Sequence, residues 1–247
     1  MFPLKDNIPT DRFPIVTVAF IVANVVIYFF LQDGGWELTS NTAGDWPVGE
    51  YALVPCDVTG ECAPGEVPGG HIGPLASVFT SMFMHGSILH LGGNMLFLWI
   101  FGNNVEDSMG PVRFVLFYLA GGIAADALQI VFDLDSAIPT LGASGAVAAV
   151  LGGYILIYPR ARVFTVIFIV VFFTVIELPA MVVLGLWFAQ QILFGALEYG
   201  AGATEGGGVA YFAHIGGFVF GLATIRLVAT RIKDVPEGRR RRKAAFR

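Results

Sequence analysis

Charged residues are scarce in this sequence. Only 13% of its 247 residues are Asp, Glu, Lys or Arg, whereas 55% are hydrophobic. A soluble domain uses about 25% charged residues to cover its surface, so this composition excludes an ordinary water-soluble protein. The hydrophobic residues also form long blocks rather than spaced stripes, which is typical of segments that face lipid. We therefore predict an integral membrane protein built as one helical bundle, without a sizeable soluble domain.

Cysteine is nearly absent, and no cleavable leader is evident. The two cysteines, Cys56 and Cys62, share one polar loop and are too few for a structural zinc site. They could form a small disulfide loop or remain two free thiols, and the sequence leaves both possibilities open. The first apolar run starts near Phe13, is too long for a signal peptide and ends without a small-residue cleavage pattern. We interpret it as a first membrane anchor.

The apolar blocks fit six membrane spans. The stretch from Val163 to Leu197 is too long for one of them, because as a helix it would reach about 52 Å against a bilayer core of about 30 Å. Pro179 suits a helix start, so residues 163–176 are interpreted as an interfacial or re-entrant segment. The predicted fold class is an all-α membrane protein, a six-helix bundle forming one domain over residues 1–247. Its predicted spans are 14–32, 86–104, 112–132, 142–158, 178–197 and 208–230.

Lys and Arg are missing from one side of this arrangement. The predicted loops 33–84, 133–141 and 198–207 contain neither residue, although they carry many acidic side chains. The positive-inside rule therefore puts both termini in the cytoplasm and makes residues 33–84 an extracytoplasmic first loop. Residues 1–13 are then a cytoplasmic N-terminus and residues 231–247 a basic cytoplasmic tail. Because this tail directly follows a span, we expect it to fix topology and attract anionic lipid rather than bind nucleic acid.

Polar residues inside the spans are candidates for function, because they are costly in lipid. Ser144 opens the fourth span, about 24 Å above the cytoplasmic edge at Arg160, so this helix is predicted to be short and to begin below the outer surface. His214 and Asn94 each lie about 18 Å above the inner ends of their own spans. Ser144, His214 and Asn94 are thus predicted to lie at a similar depth on three different spans.

A serine and a histidine at one depth support nucleophilic catalysis. The Ser144 hydroxyl is a weak nucleophile until a base removes its proton, and the neutral imidazole of His214 can do this at physiological pH. Attack on a peptide carbonyl creates an oxyanion, which the Asn94 amide, the Ser144 backbone N–H and a ring nitrogen of His90 could stabilise. No Asp is placed to complete a triad. We therefore predict a Ser–His dyad, in which a Gly-rich helix contact orients His214.

Other polar residues in the spans have simpler explanations. His85, His90 and Asn94 could bind a metal, but no Asp, Glu or Cys joins them, so neither a metal nor a cofactor is predicted. Their alternative role is interhelical hydrogen bonding. Asp126 in the third span is interpreted as a buried packing group rather than an ion site. The fifth span carries the polar pair Gln190-Gln191.

The order of these residues resembles the rhomboid family of intramembrane proteases. The motifs are His-x4-His-x3-Asn, Gly-x-Ser-Gly and His-x-x-Gly-x-x-x-Gly. In this sequence they are formed by His85, His90, Asn94, Gly142, Ser144, Gly145, His214, Gly217 and Gly221. The resemblance runs from Val54 to Gly221 and also covers Phe101-Gly102, Glu106, Gly110, Arg113 and Gln190 after Trp187.

The resemblance implies a set of roles. Ser144 and His214 form the dyad, His90 and Asn94 join the Ser144 amide in the oxyanion hole, and His85 helps to retain water. The fifth span is the lateral gate for substrates, which are single-span membrane proteins cleaved near the outer face at small residues. The layout is similar to the basic bacterial form, in the inner or plasma membrane with both termini cytoplasmic.

Two departures and two rival classes accompany this interpretation. Ala148 stands where some relatives carry an aromatic residue stacked on the histidine, and a Trp-Arg pair of the first loop is missing. A catalytically silent relative that binds and escorts membrane proteins is the first rival, but such relatives typically lose the Ser or the His. A transporter or channel is the second rival, but it would show inverted repeats and paired broken helices.

Overall fold

The computed structural model describes residues 2–34, 36, 48–66, 72–169, 172–201 and 208–235. The predicted loops 33–84 and 198–207 are therefore described only in part, and the basic run Arg239–Lys243 lies outside the described residues. Within these ranges the protein is mostly helical. The helices are α1 (Ile15–Val26, continued by a π-helical segment, Ile27–Leu31), α2 (Val48–Tyr51), α3 (Pro55–Thr59), α4 (Pro74–Thr80, continued by a 3₁₀ turn, Ser81–Phe83), α5 (Ile88–Phe97, continued by a π-helical segment, Leu98–Gly102), α6 (Asn103–Met109), α7 (Pro111–Phe132), α8 (Ser144–Ile157), α9 (Ala180–Ala201) and α10 (Tyr211–Val228). The strands are β1 (Phe2–Asp6), β2 (Arg162–Ile169) and β3 (Phe172–Pro179).

Three of the described helices are long and apolar enough to cross a membrane, namely α7, α9 and α10. Helix α8 and helix α1 with its π-helical segment are shorter apolar helices. A helix lies at each of the six predicted span positions, with ends close to the predicted ones. This agreement arises because long apolar runs fix helix position in the sequence. The count of six spans stays a prediction.

A three-stranded antiparallel sheet corrects the expectation of an all-α fold. Strands β2 and β3 form a hairpin paired from Arg162↔Pro179 to Ile169↔Phe172, and β1 pairs with β2. The hairpin contains most of the segment predicted to be interfacial or re-entrant. It is rich in Val, Ile, Phe and Thr, which fit a pleated, half-buried surface better than a helix. The expectation was wrong here because a continuous apolar run hides the period of two that marks a strand.

Helix α8 forms the centre of the bundle, and all its residues from Gly145 to Tyr154 are buried. Its contact with α10 is unusually close. A Cβ atom on Gly217 would lie 2.0 Å from the Gly145 carbonyl oxygen, and one on Gly221 would lie 2.0 Å from the Ala149 carbonyl oxygen. Only glycine allows this backbone approach, as the four-residue spacing on α10 predicts.

The first loop is held by a disulfide and by a second loop. Cys56 and Cys62 form a disulfide with Cα atoms 4.7 Å apart, which settles the choice that the sequence left open. Leu53 is fully buried and exchanges two backbone hydrogen bonds with Thr140, at 3.0 and 2.7 Å. The segment before α8 is therefore fixed by the first loop.

Candidate active site

Ser144 begins α8 directly after a turn that requires glycine. Gly142 has a φ of +127°, a backbone conformation that other residues rarely adopt. The imidazole of His90 packs against it, since a Cβ on Gly142 would lie 2.8 Å from the His90 ring and 3.6 Å from the Ser144 Oγ. The Gly142 N–H donates to the Ser81 carbonyl at 2.9 Å, which anchors the turn. The Ser144 hydroxyl and the His90 ring therefore flank one glycine.

His214 lies in the first turn of α10 and is held by α9. Its Nδ1 lies 2.8 Å from the Gln191 Oε1. A carbonyl oxygen can only accept, so the hydrogen is on Nδ1 and Nε2 is left as an acceptor. The ring of Trp187, one helical turn before Gln191, lies 5.6 Å from the His214 ring, measured between centroids. Two side chains of α9 thus fix both the tautomer and the plane of this imidazole.

The start of α10 is also tied to α7. The Ala213 N–H, one of the free donors of the first turn, donates to the Gln129 Oε1 at 3.1 Å. The Gln129 amide nitrogen in turn donates to Asp133 at the end of α7. Because Ala213 precedes His214, this side-chain cap sets the height of His214 relative to α7.

The crossing of α8 and α10 brings Gly145, the residue after Ser144, against Ala213, the residue before His214. Gly145 follows Ser144, and a Cβ added to it would lie 3.9 Å from both the Cβ and the carbonyl oxygen of Ala213. Ser144 itself is partly exposed. Among the described residues its hydroxyl has no hydrogen-bond partner, the His214 ring included. Catalytic hydrogen bonds often tighten only when a substrate is present, so this geometry leaves the hydroxyl available.

His85 and Asn94 form the other wall of this region. The His85 backbone makes two hydrogen bonds with the Gln32 amide, both at 2.9 Å. The Asn94 Nδ2 donates to the His85 Nε2 at 3.1 Å. The rings of His85 and His90 meet edge to face at 5.1 Å. A chain of contacts therefore links Asn94 through His85 and His90 to Gly142, two residues before Ser144. The Asn94 amide keeps a second N–H for another acceptor.

The structure distinguishes the adjacent residues Gln190 and Gln191, which the sequence alone did not. Gln190 is exposed on α9, whereas Gln191 is 4% exposed and contacts His214. The resemblance pointed to Gln190, so the partner of His214 was missed. The available signal was the spacing from Trp187, because residues four apart share one helix face. Asp126 is buried on α7, and one of its carboxyl oxygens has no hydrogen-bond partner in the part of the chain that the structure describes.

These features define a helical membrane protein with buried or partly buried serine, histidine and asparagine side chains inside its bundle. The family model of the rhomboid domain matches residues 73–231, more than half of the chain. The chain belongs to the rhomboid family, as the sequence motifs predict. Members of this family are generally serine proteases that act on membrane proteins within the bilayer.

Curated relatives share this family. The chain is 31% identical over 151 residues to the mitochondrial Rhomboid protein 1 of Saccharomyces cerevisiae, which is 59% of this chain and 40% of that protein. It is 32% identical over 139 residues to the Rhomboid protease GluP of Bacillus subtilis, 56% of this chain and 24% of that protein. It is 33% identical over 97 residues to the mitochondrial Presenilin-associated rhomboid-like protein of Mus musculus, 38% of this chain and 26% of that protein. The matched regions cover less than half the length of each relative. Since two of these relatives are mitochondrial, the bacterial form stays a prediction.

Proposed function

We propose that this protein is an intramembrane serine endopeptidase that hydrolyses peptide bonds in or near the transmembrane segments of membrane proteins. Ser144 is the nucleophile and His214 is the base. The supporting observation is the α8–α10 crossing, in which the residue after Ser144 packs on the residue before His214, together with the bond from the His214 Nδ1 to Gln191. That bond leaves Nε2 free to take the serine proton.

The reaction follows from the groups around Ser144. The hydroxyl attacks the scissile carbonyl while the His214 Nε2 accepts its proton. The carbonyl oxygen becomes an oxyanion beside the Ser144 backbone N–H, which has no partner within the first turn of α8. The Asn94 amide and the His90 ring are the other donors of this oxyanion hole. His214 then returns the proton to the leaving amine, and water attacks the acyl-enzyme to release the second product.

Gln191 is the positioning residue for the base. In a triad, a carboxylate holds the Nδ1–H of the histidine and stabilises the imidazolium that forms. Here a neutral amide oxygen accepts the same N–H at 2.8 Å, and the Trp187 ring supports the imidazole from the side. Gln191 therefore adds a direct partner to the glycine contact that was expected to orient His214. It supplies the tautomer and orientation without the charge of a carboxylate.

The proposal includes a topology of six spans with both termini in the cytoplasm of a bacterial cell. Helix α8 has 14 residues, and about 21 Å of helix is shorter than a bilayer core of about 30 Å. Ser144 then lies below the outer surface, where hydrolytic water can reach it from the outer side. The Cys56–Cys62 disulfide in the first loop fits an oxidising, extracytoplasmic side. The substrates are single-span membrane proteins, and the reaction needs no metal or cofactor.

The decisive experiment measures cleavage and active-site labelling together. The purified protein is reconstituted in vesicles with a single-span substrate and, separately, treated with a fluorophosphonate probe. Ser144→Ala and His214→Ala are expected to abolish cleavage, and Ser144→Ala to abolish labelling, while their unfolding temperatures stay near that of the wild type. Ser136→Ala, a serine in the loop before α8, is the control and is expected to keep both activities.

The alternative function is a catalytically silent membrane-protein escort. It predicts that the wild type binds the substrate without cleaving it and is not labelled. Cleavage that survives unchanged in Ser144→Ala would contradict the proposed nucleophile.

A further inference from the structure

The β2–β3 hairpin has an exposed apolar tip, here defined as the described side chains of Phe172, Phe173 and Val175 on β3. Residues 163–176 contain no charged side chain. Phe172 and Phe173 are 74% and 71% exposed, and Val175 is 47% exposed. Water-soluble surfaces rarely expose several large apolar side chains together. The tip therefore requires a partner that is not water.

The base of the same hairpin is basic and rigidly attached. Ala180 and Met181, the first residues of α9, donate backbone hydrogen bonds of 2.8 and 3.0 Å to the Ala161 and Pro159 carbonyls. These bonds close the base against the end of α8 that is opposite Ser144. Three cations lie around it: the exposed Arg160 and Arg162, and Lys5 of β1, whose Nζ lies 5.1 Å from the centroid of the Phe164 ring. The exposed Glu177 of β3, opposite Phe164, is an acidic neighbour, so the cations outnumber the exposed carboxylate three to one. An uncharged tip next to a base with an excess of cations matches the two layers of a membrane leaflet, acyl chains and anionic headgroups.

Backbone hydrogen bonding decides how deep the hairpin can lie. Strand β1 covers the outer edge of β2 only as far as Val166, and β3 has no further strand on its other edge among the described residues. Unpaired backbone groups cost several kcal/mol each in the hydrocarbon core, so these edges need access to water or headgroups. The interface satisfies both requirements, because the edges can be hydrated there while the tip side chains reach the acyl chains.

We propose that the β2–β3 hairpin is a lipid-binding element that lies in the membrane interface, on the side of the bilayer opposite the Ser144 end of α8. Its tip side chains insert among the upper acyl chains, and Lys5, Arg160 and Arg162 contact anionic headgroups. The hairpin is continuous with a membrane-crossing helix, because β3 ends at Pro179 and α9 begins at Ala180. A hairpin fixed in this way anchors the end of the helix that carries Trp187 and Gln191. This inference needs only a membrane-resident protein and does not depend on the proposed protease activity.

A fluorescent probe at the tip tests the proposal directly. Thr174 lies between Phe173 and Val175 on an exposed part of β3. Thr174→Cys is labelled with an environment-sensitive fluorophore without reductant, so that the Cys56–Cys62 disulfide stays closed. The labelled protein is reconstituted in vesicles of phosphatidylcholine and phosphatidylglycerol, with spin-labelled lipid or aqueous iodide as quencher. Two control sites are labelled in the same way: Leu186→Cys, exposed on α9, and Asp234→Cys, exposed in the segment after α10.

The expected result is a lipid-like response at the tip. The Thr174 probe should be quenched by spin-labelled lipid to about the extent of the Leu186 probe, and by iodide about fivefold less than the Asp234 probe. Iodide quenching equal to that of Asp234 would mean that the tip lies in water and would overturn the proposal. Protection from both quenchers, or disulfide-linked dimers of Thr174→Cys, would mean that the tip packs on protein, such as a second copy, and would also overturn it.

A matched pair of variants tests the side chains themselves. Phe172 and Phe173 are changed together to Asp or together to Leu in the labelled Thr174→Cys protein. The Asp pair is expected to lose the lipid quenching and gain iodide quenching, because charged groups leave the acyl region, whereas the Leu pair is expected to behave like the parent. Lipid quenching that persists with the Asp pair would contradict the insertion of these side chains. None of these readouts requires cleavage, so a protein without protease activity can still pass or fail them.

Discussion

The two ends of the helical bundle differ in how their key polar side chains are hydrogen-bonded. At the Ser144 end, formed by the first turns of α8 and α10, the serine hydroxyl has no hydrogen-bond partner among the described residues, and His214 is held by a neutral amide. At the Glu106 end, formed by α6, β1 and the start of α1, one carboxylate accepts three hydrogen bonds. Glu106 binds the N–H groups of Val16 and Thr17 at 3.0 and 2.8 Å and the Thr17 hydroxyl at 2.7 Å.

Charge pairing extends through the Glu106 end. Asp107 accepts from the Asp11 N–H at 2.8 Å and from the Lys233 ammonium. Burial raises the pKa of Asp107, but these two donors and the positive charges of Lys233 and Arg231 outweigh burial and hold the pKa below its ordinary value. Arg231 adds an ion pair with Asp11 at 2.6 Å. Polar groups with hydrogen-bond partners stabilise a fold, whereas reactive groups must keep donors or acceptors free for the substrate. Most charged groups at the Glu106 end are thus paired, although Asn104 and Asp107 each keep one buried side-chain oxygen without a partner among the described residues. We expect stability and the proposed chemistry to depend on different ends of the bundle, so that each can be perturbed separately.

Gly217→Ala is expected to have the largest effect on the folded state, because the α8–α10 crossing serves both ends. Its Cβ would lie 2.0 Å from the Gly145 carbonyl oxygen, and a backbone atom cannot rotate away. We expect a loss of about 2–4 kcal/mol of unfolding free energy together with most of the cleavage activity. Unfolding in detergent and cleavage in vesicles measure the two effects.

Gly185→Ala is the matched control for this variant. Nothing lies within 4 Å of a Cβ at Gly185 on α9, so alanine there should be neutral or slightly stabilising. A Gly217→Ala protein as stable and active as Gly185→Ala would show that the close crossing does not support the Ser144 end.

Gln191→Leu is expected to weaken only the Ser144 end. Loss of a hydrogen bond worth about 1.5–3 kcal/mol in the transition state corresponds to roughly a 10- to 150-fold lower kcat. KM should change by less than about twofold, because Gln191 holds the base rather than the substrate. Gln191→Glu should restore most of the activity, since a carboxylate oxygen can accept the same Nδ1–H.

Gln190→Leu is the neighbouring control, and its exposed side chain should make it nearly silent. Equal losses in the two leucine variants, or a loss in Gln191→Leu that appears only in KM, would remove Gln191 from the role of positioning residue.

The two glutamines also show where prediction from sequence stops. Helix positions could be predicted because a long apolar run suffices to place a helix. The roles of Ser144, His214 and Asn94 stay predictions, which rest on the distinctive order of these residues along the chain. Gln191 could not be chosen over Gln190 by residue type, since only the phase of α9 distinguishes them. The β2–β3 hairpin was missed for a related reason, because Val, Ile and Phe on both faces of a strand leave no alternation to detect. The disulfide required the separation of two Cα atoms, which no sequence gives.

Glu106→Gln is expected to weaken only the other end. The carboxylate caps the free N–H groups at the start of α1, and its charge interacts favourably with the helix dipole. The isosteric amide keeps the shape but loses the charge and one acceptor, which should cost about 1–2 kcal/mol of unfolding free energy. Cleavage per folded molecule should stay at the wild-type level.

Glu177→Gln, an exposed change on β3, is the control and should leave stability unchanged. If Glu106→Gln reduced cleavage as strongly as it reduced stability, the two ends would not be independent.

Asp6→Asn is expected to change the unfolding free energy least. It tests whether neutral hydrogen-bond partners suffice to stabilise a charged, partly buried carboxyl at the Glu106 end. Asp6 accepts from the Asn104 amide at 2.8 Å and from the Tyr154 hydroxyl at 2.5 Å. Burial nevertheless raises the pKa of Asp6 from 3.8 to about 6, although these hydrogen bonds lower it. The folded protein therefore binds this proton more tightly than the unfolded chain does. Its unfolding free energy should fall by about 1 kcal/mol, after allowance for partial exposure, as the pH rises from about 4 to about 6. Above that range it should stay level.

The asparagine variant separates charge from hydrogen bonding at this site. Its side-chain oxygen can still accept from Tyr154, but it cannot ionise, so the dependence of its unfolding temperature on pH between 4 and 7 should be flatter than that of the wild type. Unfolding curves of both proteins at pH 4.5 and 7 measure the difference, and parallel pH profiles would assign the dependence to another group. A flatter profile would mean that Asp6, which has neutral partners, is costly when charged, unlike Asp107 beside Lys233. The advantage of a charged Asp107 would then come from its pairing with Lys233 rather than from hydrogen bonds as such.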